Sequence, residues 1–246
     1  MIHYSIFSQF DVLLAFTTIK EDMADHAPRF SGRPNEGGKN RQELAQKLNI
    51  SHLSMVFPGQ CHTANISSIG NLPVDELTET DGLVTGLRNV CLCIQTADCV
   101  PVLLYDPVNR VIGAAHAGWR GTLEGITQKT VETMGNAHSC NPQNIRAVIG
   151  PSIGPEVYET GNEVIQLFME QTAFYKNIMI RQENGRHHLN LWKANELQLL
   201  SMGIPFSQIE NSGLCTYINN EYLFSARRDG IDTGRMVTGI MIKENG

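Results

Sequence analysis

Three apolar runs that follow one another closely in the middle of the chain constrain its fold more than any other feature. They span residues 90–96, 100–105 and 111–116. Apolar runs of this length, broken by turn residues, predict buried β-strands. The break between the second and third runs holds Asp106, Pro107 and Asn109, which favour a tight turn. The sequence therefore predicts a sheet with buried strands at its centre.

Helical patterns alternate with further strand patterns along the rest of the chain. Helices are predicted at 40–48, at 123–134 with Gly135 as the stop, after a capping pair of Thr160 and Glu163, and after Asn190. Further strands are predicted at 12–18, 53–57, 145–149, 210–217 and 236–242, and a polar loop at 21–39. Because no linker or repeat interrupts this alternation, we expect one mixed α/β domain over residues 1–246.

Composition excludes several classes of protein. The chain is 41% hydrophobic and 18% charged, which is typical of a globular protein rather than a disordered one. Its net charge of −6 predicts no electrostatic footprint for nucleic acid. No apolar run is long enough for a membrane span, and the N-terminus has no basic region typical of a signal peptide. We therefore expect a cytoplasmic protein with no nucleic-acid or membrane partner, and the sequence leaves its oligomeric state open.

Two chemically active side chains lie at the ends of the central runs. Cys99 falls in the break between the first two runs, and His116 ends the third. Neighbouring strands lie about 4.8 Å apart, so such ends can bring a thiolate and an imidazole to one point. His62, which follows the run at 53–57, can reach the same point. Two imidazoles and a thiolate suit zinc, and three protein ligands leave one position open for water or substrate. The alternative is a buried apolar cysteine and two structural histidines.

The turn after His116 has the features of an anion site. It contains Gly118, Arg120 and Thr122 and leads directly into the helix predicted at 123–134. Free N–H groups and the positive end of the helix dipole favour an anion there, and Arg120 can add bidentate donors for phosphate. The alternative is an ordinary strand-to-helix connection with a solvated arginine.

Polar residues elsewhere are weaker candidates for the same site. Arg227, Arg228 and Asp229 form a cluster near the C-terminus that could bind a polar substrate, and Arg228 in particular is predicted to help fix the substrate. A surface ion-pair cluster is the alternative. Asp98, next to Cys99, is predicted to support the site or carry a proton, and its alternative role is in a turn.

These segments together resemble a known family. The motifs are Gln60-Cys-His62, Thr96-Ala-Asp-Cys99, His116-Ala-Gly-Trp-Arg-Gly121, Gly150-Pro-Ser-Ile-Gly154, Tyr158-Glu159, Cys215-Thr216 and Phe224-Ser-Ala-Arg-Arg-Asp-Gly230. In this order, over nearly the whole chain, they resemble the YfiH/laccase-domain family, also called the LACC1-like, polyphenol oxidase or purine nucleoside phosphorylase family.

The resemblance carries expectations about fold, site and activity. It implies a single domain of mixed sheets with outer helices, in four α/β/β/α layers. It implies a zinc site formed by His62, Cys99 and His116. It further implies phosphorolysis of adenosine, inosine and methylthioadenosine, and deamination of adenosine. Bacterial members are also linked to editing of peptidoglycan precursors.

Two features separate this chain from parts of that family's description. The family usually has an arginine and a Gly-Gly-Val-Ser stretch soon after the first strand, where this chain has Ile19, Lys20 and Glu21. Multicopper oxidases resemble one another in repeated His-x-His pairs, and none occurs among the eight histidines here. One copper would suit a His/Cys/His set, so copper-dependent polyphenol oxidation remains a minor alternative to zinc.

Three functional hypotheses follow. The first is a zinc-dependent enzyme acting on purine nucleosides and phosphate. The second is a metal-free amidase acting on peptidoglycan precursors, with Cys99 as nucleophile and His116 as base; the region also resembles the catalytic half of deamidating bacterial toxins. The third is a partner-binding protein whose site has decayed, suggested by the altered segment after Thr18.

Overall fold

The computed structural model describes residues 1–23, 38–72, 74, 76–181 and 185–244. Its strands are β1 (Leu13–Thr17), β2 (Met55–Val56), β3 (Ile66–Ser68), β4 (Gly82–Thr85), β5 (Cys91–Thr96), β6 (Val100–Asp106), β7 (Val111–Ala117), β8 (Arg146–Ile149), β9 (Glu159–Thr160), β10 (Met179–Arg181), β11 (His187–Leu189), β12 (Ile209–Asn211) and β13 (Met236–Ile242). Its helices are α1 (Gly38–Leu48), α2 (Trp119–Leu123), α3 (Ile126–His138), α4 (Asn162–Gln171), α5 (Tyr175–Ile178), α6 (Leu191–Ser201) and α7 (Ala226–Asp229).

Two sheets stacked face to face form the centre of the molecule. One has the strand order β1-β13-β5-β2, and the larger has the order β12-β8-β6-β7-β4-β3. A small third sheet, β10-β11-β9, lies beside them. Alternation along β5 explains the stacking, because Leu92 packs in the cluster between the two large sheets while Cys91 packs in the cluster that contains Leu44 of α1.

Helices cover the outer faces of both large sheets. Helix α1 contributes Leu44 and Ala45 to the core on the outside of the four-stranded sheet. Helices α3 and α6 contribute Val131 and Leu199 to the core on the outside of the six-stranded sheet. The structure therefore confirms the mixed α/β fold with four α/β/β/α layers. Among the described residues, no helix is long and apolar enough to cross a lipid bilayer.

Most predicted elements are present, and several boundaries differ for local reasons. The helix predicted at 123–134 is two helices, α2 and α3, because Gly125 between them has φ +76°. Gly135 does not end α3, which continues to His138 and stops at Ser139 with φ +56°. The predicted capping pair is also wrong: α4 follows Gly161 without a side-chain cap, and Thr160 lies in β9.

Of the remaining predictions, one helix cap is confirmed and two strands are shorter than predicted. Asn190 does cap α6, since its side chain accepts a hydrogen bond from the Lys193 N–H. The strand predicted at 210–217 is only β12, followed by a single bridge between Ser152 and Cys215. The strand predicted at 53–57 is a 3₁₀ turn, His52–Ser54, followed by β2. Of the loop predicted at 21–39, residues 24–37 lie outside the described residues.

Three strand ends meet at one edge of the six-stranded sheet. Strands β6 and β7 pair antiparallel with Pro101 opposite His116, which puts Cys99 at the start of β6 beside the end of β7. Strand β4 pairs with β7 on its other side, with Gly82 opposite Ala115. Asp81, which precedes β4, therefore also lies at this edge, and its carbonyl accepts a hydrogen bond from the His116 N–H.

Candidate metal centre and its cavity

His62, Cys99 and His116 converge at the edge where these strands end. Their potential ligand atoms all lie within 4.8 Å of one another. Cys99 Sγ is 3.8 Å from His62 Nε2, and the two imidazole rings have centroids 4.8 Å apart and an interplanar angle of 67°. Zinc bonded to sulfur and nitrogen in a tetrahedron separates these two donors by roughly 3.5 Å. The donor set and its spacing therefore fit a zinc ion.

The Asp81 carboxylate positions both histidines of this group through hydrogen bonds. His116 Nδ1–H donates to Asp81 Oδ1 at 2.7 Å, so Nε2 is the ring nitrogen left for a metal. The same carboxylate accepts from the backbone N–H groups of Cys61, His62 and Thr63, at 3.1, 3.0 and 2.8 Å, and from the Thr63 hydroxyl at 2.8 Å. One fully buried carboxylate thus fixes the loop that carries one histidine and the ring of the other.

The charges of these groups are strongly coupled. Burial by itself raises the pKa of the Asp81 carboxyl. Hydrogen bonds from His116 and Thr63 have the larger, opposite effect and hold this pKa well below its usual range. Burial also raises the pKa of the Cys99 thiol, and His116 and His62 lower it to about 6. Burial lowers the pKa of His116, which Cys99 and Asp81 raise to about 9. Cys99 is therefore held as a thiolate, the form that binds metals and attacks carbon.

Two backbone features bring the group together. His62 has φ +67°, in the left-handed region that a non-glycine residue occupies only at some cost. Gly118 passes so close that a Cβ there would lie 3.0 Å from His62 Cδ2 and 3.1 Å from Cys99 Sγ. The predicted site residue Gly118 thus lies against two of the three donors, His62 and Cys99, and its lack of a side chain gives them room.

The donors form part of the lining of a cavity of about 670 Å³. Its walls include Gln60, Asp98, Ile153, Tyr158, Arg227 and Arg235. Asp98 has φ +96°, and its carboxylate accepts from the Thr216 hydroxyl at 2.6 Å and from the Arg227 N–H at 2.7 Å. The predicted residue Asp98 is therefore in the cavity and also holds its wall in place.

Three other predicted residues lie outside the cavity lining. Arg120 is exposed, with its guanidinium 4.3 Å from the centre of the Trp119 ring. Thr122 is fully buried; its hydroxyl donates to the Ala117 carbonyl and accepts from Asn195 Nδ2. Arg228 is exposed and donates to the Tyr217 carbonyl at 2.7 Å. Of the predicted anion turn, Gly118 therefore borders His62 and Cys99, whereas Arg120 and Thr122 on α2 are not part of the cavity lining.

Sequence reasoning did not find Asp81 or Tyr158 as site residues, and it named Arg227 only within the cluster from which it chose Arg228. Asp81 precedes β4, a short strand that was not predicted, although an Asp-Gly pair before the apolar Leu83 and Val84 is a usable signal. Arg227 lines the cavity and Arg228 does not, and only the direction of each side chain on α7 distinguishes them. That direction depends on the Ser225 cap, whose hydroxyl accepts from the Arg228 N–H.

A protein-family model described as multi-copper polyphenol oxidoreductase laccase matches residues 23–243. The chain belongs to this family, the YfiH/laccase-domain family. Among the described residues, His62, Cys99 and His116 are the one group of three or more such donors close enough to share an ion. A multi-copper cluster would need further groups of this kind, so the name of the family model does not describe this site.

Curated relatives in the family carry nucleoside-enzyme names. A protein of Bacteroides thetaiotaomicron named purine nucleoside phosphorylase is 39% identical over 213 residues, which cover 83% of this chain and 79% of the relative. A protein of an unknown prokaryotic organism named adenosine deaminase RL5 is 35% identical over 212 residues, covering 82% and 80%. A Haemophilus influenzae protein named purine nucleoside phosphorylase is 31% identical over 240 residues, covering 92% and 93%.

Solved structures agree with the fold. The Bacillus licheniformis hypothetical protein YfiH has a TM-score of 0.88 and 32% identity, covering 96% of this chain and 94% of that one. YlmD of Geobacillus stearothermophilus has a TM-score of 0.85 and 30% identity, with the same coverage. The stacked sheets and their outer helices are thus the fold of the family.

Proposed function

We propose that this protein is a zinc-dependent purine nucleoside enzyme. The proposed reactions are phosphorolysis of adenosine, inosine and methylthioadenosine, and deamination of adenosine. The observation that carries the proposal is the convergence of His62, Cys99 and His116 at a cavity of about 670 Å³. The names of the curated relatives support the choice of substrate class.

The proposed metal ligands are His62, Cys99 and His116, with copper as the alternative ion. A zinc ion held by three protein ligands supplies a Lewis acid and lowers the pKa of a bound water toward about 7. Asp81 keeps the His116 ring oriented through the 2.7 Å hydrogen bond at Nδ1. Gly118 keeps the space beside Cys99 free.

In phosphorolysis, a phosphate oxygen forms a bond to C1′ of the ribose as the C1′–N9 bond breaks, and the departing purine takes up a proton. Among the described residues that line the cavity, Asp98 is the one with a carboxyl group. We propose that its oxygens hold that proton next to the purine. In deamination, water adds at C6 and ammonia leaves, and the same carboxylate can relay the protons. The remaining catalysis is positioning within the cavity.

A thiol mechanism is the second candidate, because one observation favours it. Asp81, His116 and Cys99 stand in the order of an orienting acid, a base and a nucleophile, and the pKa of Cys99 is lowered to about 6. In that case Cys99 attacks an amide carbonyl of a peptidoglycan precursor and His116 protonates the leaving nitrogen. His62 has no role in this chemistry, which gives the two candidates different requirements.

We further propose a cytoplasmic enzyme that acts as one catalytic domain over residues 1–246. All six cysteines lie in the described part of the chain as free thiols, which suits a reducing compartment. The family match over residues 23–243 supports one catalytic unit. The partners are then a purine nucleoside and phosphate.

Elemental analysis and product assays on purified protein test these proposals together. We expect one zinc per chain and release of adenine, inosine or hypoxanthine from adenosine with phosphate. Cys99→Ala and His62→Ala should each lose the metal and the activity, whereas His52→Ala, which removes an exposed imidazole outside the cavity lining, should keep both. Metal-free protein whose activity survives His62→Ala would favour the thiol mechanism, and metal-loaded protein without turnover of any nucleoside would refute the main proposal.

A further inference from the structure

A second cavity adjoins the first across Arg227. It has a volume of about 590 Å³ and is lined by Val157, Glu159, His188, Tyr217 and Arg227. Arg227 lines both cavities. Val157 and Glu159 line the second cavity, whereas Tyr158 between them lines the first, beside the three donors. Neighbouring side chains of one segment therefore face the two cavities. A ligand group in the second cavity would contact the arginine that also borders the metal group.

Arg227 is held in place on both its backbone and its side chain. Its N–H donates to Asp98 Oδ2 at 2.7 Å, and its Nη1 donates to the Glu159 carbonyl at 3.0 Å. Its guanidinium lies 5.2 Å from the centre of the Tyr158 ring. A guanidinium has five N–H donors. Among the described residues, the Arg227 guanidinium uses one of them, in the hydrogen bond to the Glu159 carbonyl. The exposed Arg227 guanidinium is thus oriented before any ligand binds, and its other N–H groups can donate to a ligand.

The surroundings of the second cavity favour an anion. The Glu159 carboxylate is paired with Arg186 at 2.9 Å, which offsets its charge. His188 Nδ1 donates to the Pro155 carbonyl at 2.9 Å, so Nε2 is its remaining ring nitrogen. A second guanidinium, that of Arg228, lies 5.5 Å from the centre of the Tyr217 ring. On a chain with net charge −6, the cavity thus has one guanidinium in its lining, a second beside it on Tyr217, and the Tyr217 hydroxyl as a further donor.

We propose that this second cavity is a subsite for a phosphate group, with Arg227 as its main ligand and His188 and Tyr217 as further contacts. A planar guanidinium matches two oxygens of a tetrahedral oxyanion. The inference rests on the proposed function, for which it locates the phosphate. The phosphate has two possible sources: inorganic phosphate used in phosphorolysis, or the 5′-phosphate of a nucleotide substrate. Arg227 replaces Arg120, the arginine expected from sequence, because Arg120 lies outside both linings.

Direct binding to the full-length, metal-loaded protein tests the subsite without any turnover. Inorganic phosphate and adenosine 5′-monophosphate are titrated separately by calorimetry into the unaltered protein, Arg227→Gln, Arg227→Lys, Arg120→Gln and Arg88→Gln. Arg88 is an exposed arginine outside both linings, so its variant controls for the loss of one charge. We expect Arg227→Gln to weaken binding at least tenfold, Arg227→Lys to weaken it less, and Arg88→Gln to leave it unchanged.

The two ligands separate the sources of the phosphate. Arg227-dependent binding of inorganic phosphate supports the co-substrate, and Arg227-dependent binding of the nucleotide alone supports a nucleotide substrate. Binding of neither ligand, binding that survives Arg227→Gln, or binding lost only in Arg120→Gln would overturn the subsite.

Kinetics then separate the subsite from the reaction itself. If Arg227→Gln raises the KM for phosphate and leaves the KM for nucleoside within twofold, the subsite and the reaction both stand. If the protein turns over nucleosides and this variant has an unchanged KM for phosphate, the subsite fails while the proposed function stands. If phosphate binds through Arg227 but no nucleoside is turned over, the proposed function fails and the subsite remains.

Discussion

Asp81 and Asp98 support the same candidate site from different depths. Asp81 is fully buried and accepts six hydrogen bonds, five from the loop at residues 61–63, including one from the Cys61 thiol, and one from the His116 ring. Asp98 is half-buried, lines the cavity, and accepts hydrogen bonds from Thr216 and the N–H of Arg227. The first carboxylate has no contact with the cavity, whereas the second is exposed to whatever enters it.

This difference separates support from chemistry. A carboxylate that is buried beneath the metal ligands can act only through them, by fixing their geometry and basicity. A carboxylate in the lining can also exchange a proton with a substrate. Substitutions at Asp81 should therefore change metal affinity, whereas substitutions at Asp98 should change turnover. Substitutions at Gly118 and Thr122 extend this comparison to the turn after His116.

Asp98→Asn should have the largest effect on turnover. The amide keeps the shape of the side chain but no longer holds a proton, so we expect kcat for phosphorolysis to fall about 100-fold or more. Zinc content should stay unchanged, because Asp98 is not among the three donors. Steady-state kinetics with elemental analysis measure both. A rise in KM with an unaltered kcat would instead mean that Asp98 only positions Arg227.

Asp81→Asn should act on the metal. The neutral amide offers one acceptor atom to donors that now share two, so the His116 ring and the loop at Thr63 lose support. Loss of such a partner typically costs about 10- to 100-fold in metal affinity. Competition for zinc with a chromophoric chelator measures this change, and activity should return in excess zinc. An unchanged zinc affinity would remove Asp81 from the site.

The contrast between these two residues also explains what the sequence could predict. Cys99 and His116 were placed together because each ends an apolar run, and the spacing between strands is nearly constant. That local rule is enough for the central strands and for the donors at their ends. His62 was joined to them by the same rule, although its φ of +67° depends on hydrogen bonds to Asp81 that no local pattern reveals.

The rest of the site depends on contacts between distant segments. Asp81 precedes β4, a short strand that begins with glycine, and its partner His116 lies 35 positions later. The choice between Arg120 and Arg227 depends on the direction of a side chain on a short helix. Gly125 ends α2 after one turn, and the Ser225 cap sets α7. Such directions follow from packing, so periodicity alone cannot give them.

Gly118→Ala should have a smaller effect on the same metal site. The backbone there, with φ −65° and ψ 172°, suits any residue, so the change acts only through the added Cβ. That atom would lie 3.0 Å from His62 and 3.1 Å from Cys99. Overpacking of about 1 kcal/mol corresponds to a roughly fivefold loss of zinc affinity.

Gly135→Ala is the matched control for Gly118→Ala. It lies inside α3, where a Cβ would meet only the Cys140 carbonyl at 3.7 Å. It should stabilise the fold slightly and leave zinc affinity unchanged. Equal zinc affinity in both variants would show that the space beside Cys99 is not needed.

Thr122→Val should have the smallest effect on the metal site and act on stability instead. Its hydroxyl bonds the Ala117 carbonyl at 3.3 Å and Asn195 Nδ2 at 3.2 Å, both in the interior. Removing both hydrogen bonds from the interior should lower the free energy of unfolding by about 1–3 kcal/mol in urea titrations, with zinc affinity unaltered. Thr133→Val, at a half-buried position of α3 where the hydroxyl donates to the Lys129 carbonyl near the surface, should change stability by less than about 0.5 kcal/mol. If Thr122→Val weakened phosphate binding without lowering stability, the turn after His116 would belong to the substrate site after all.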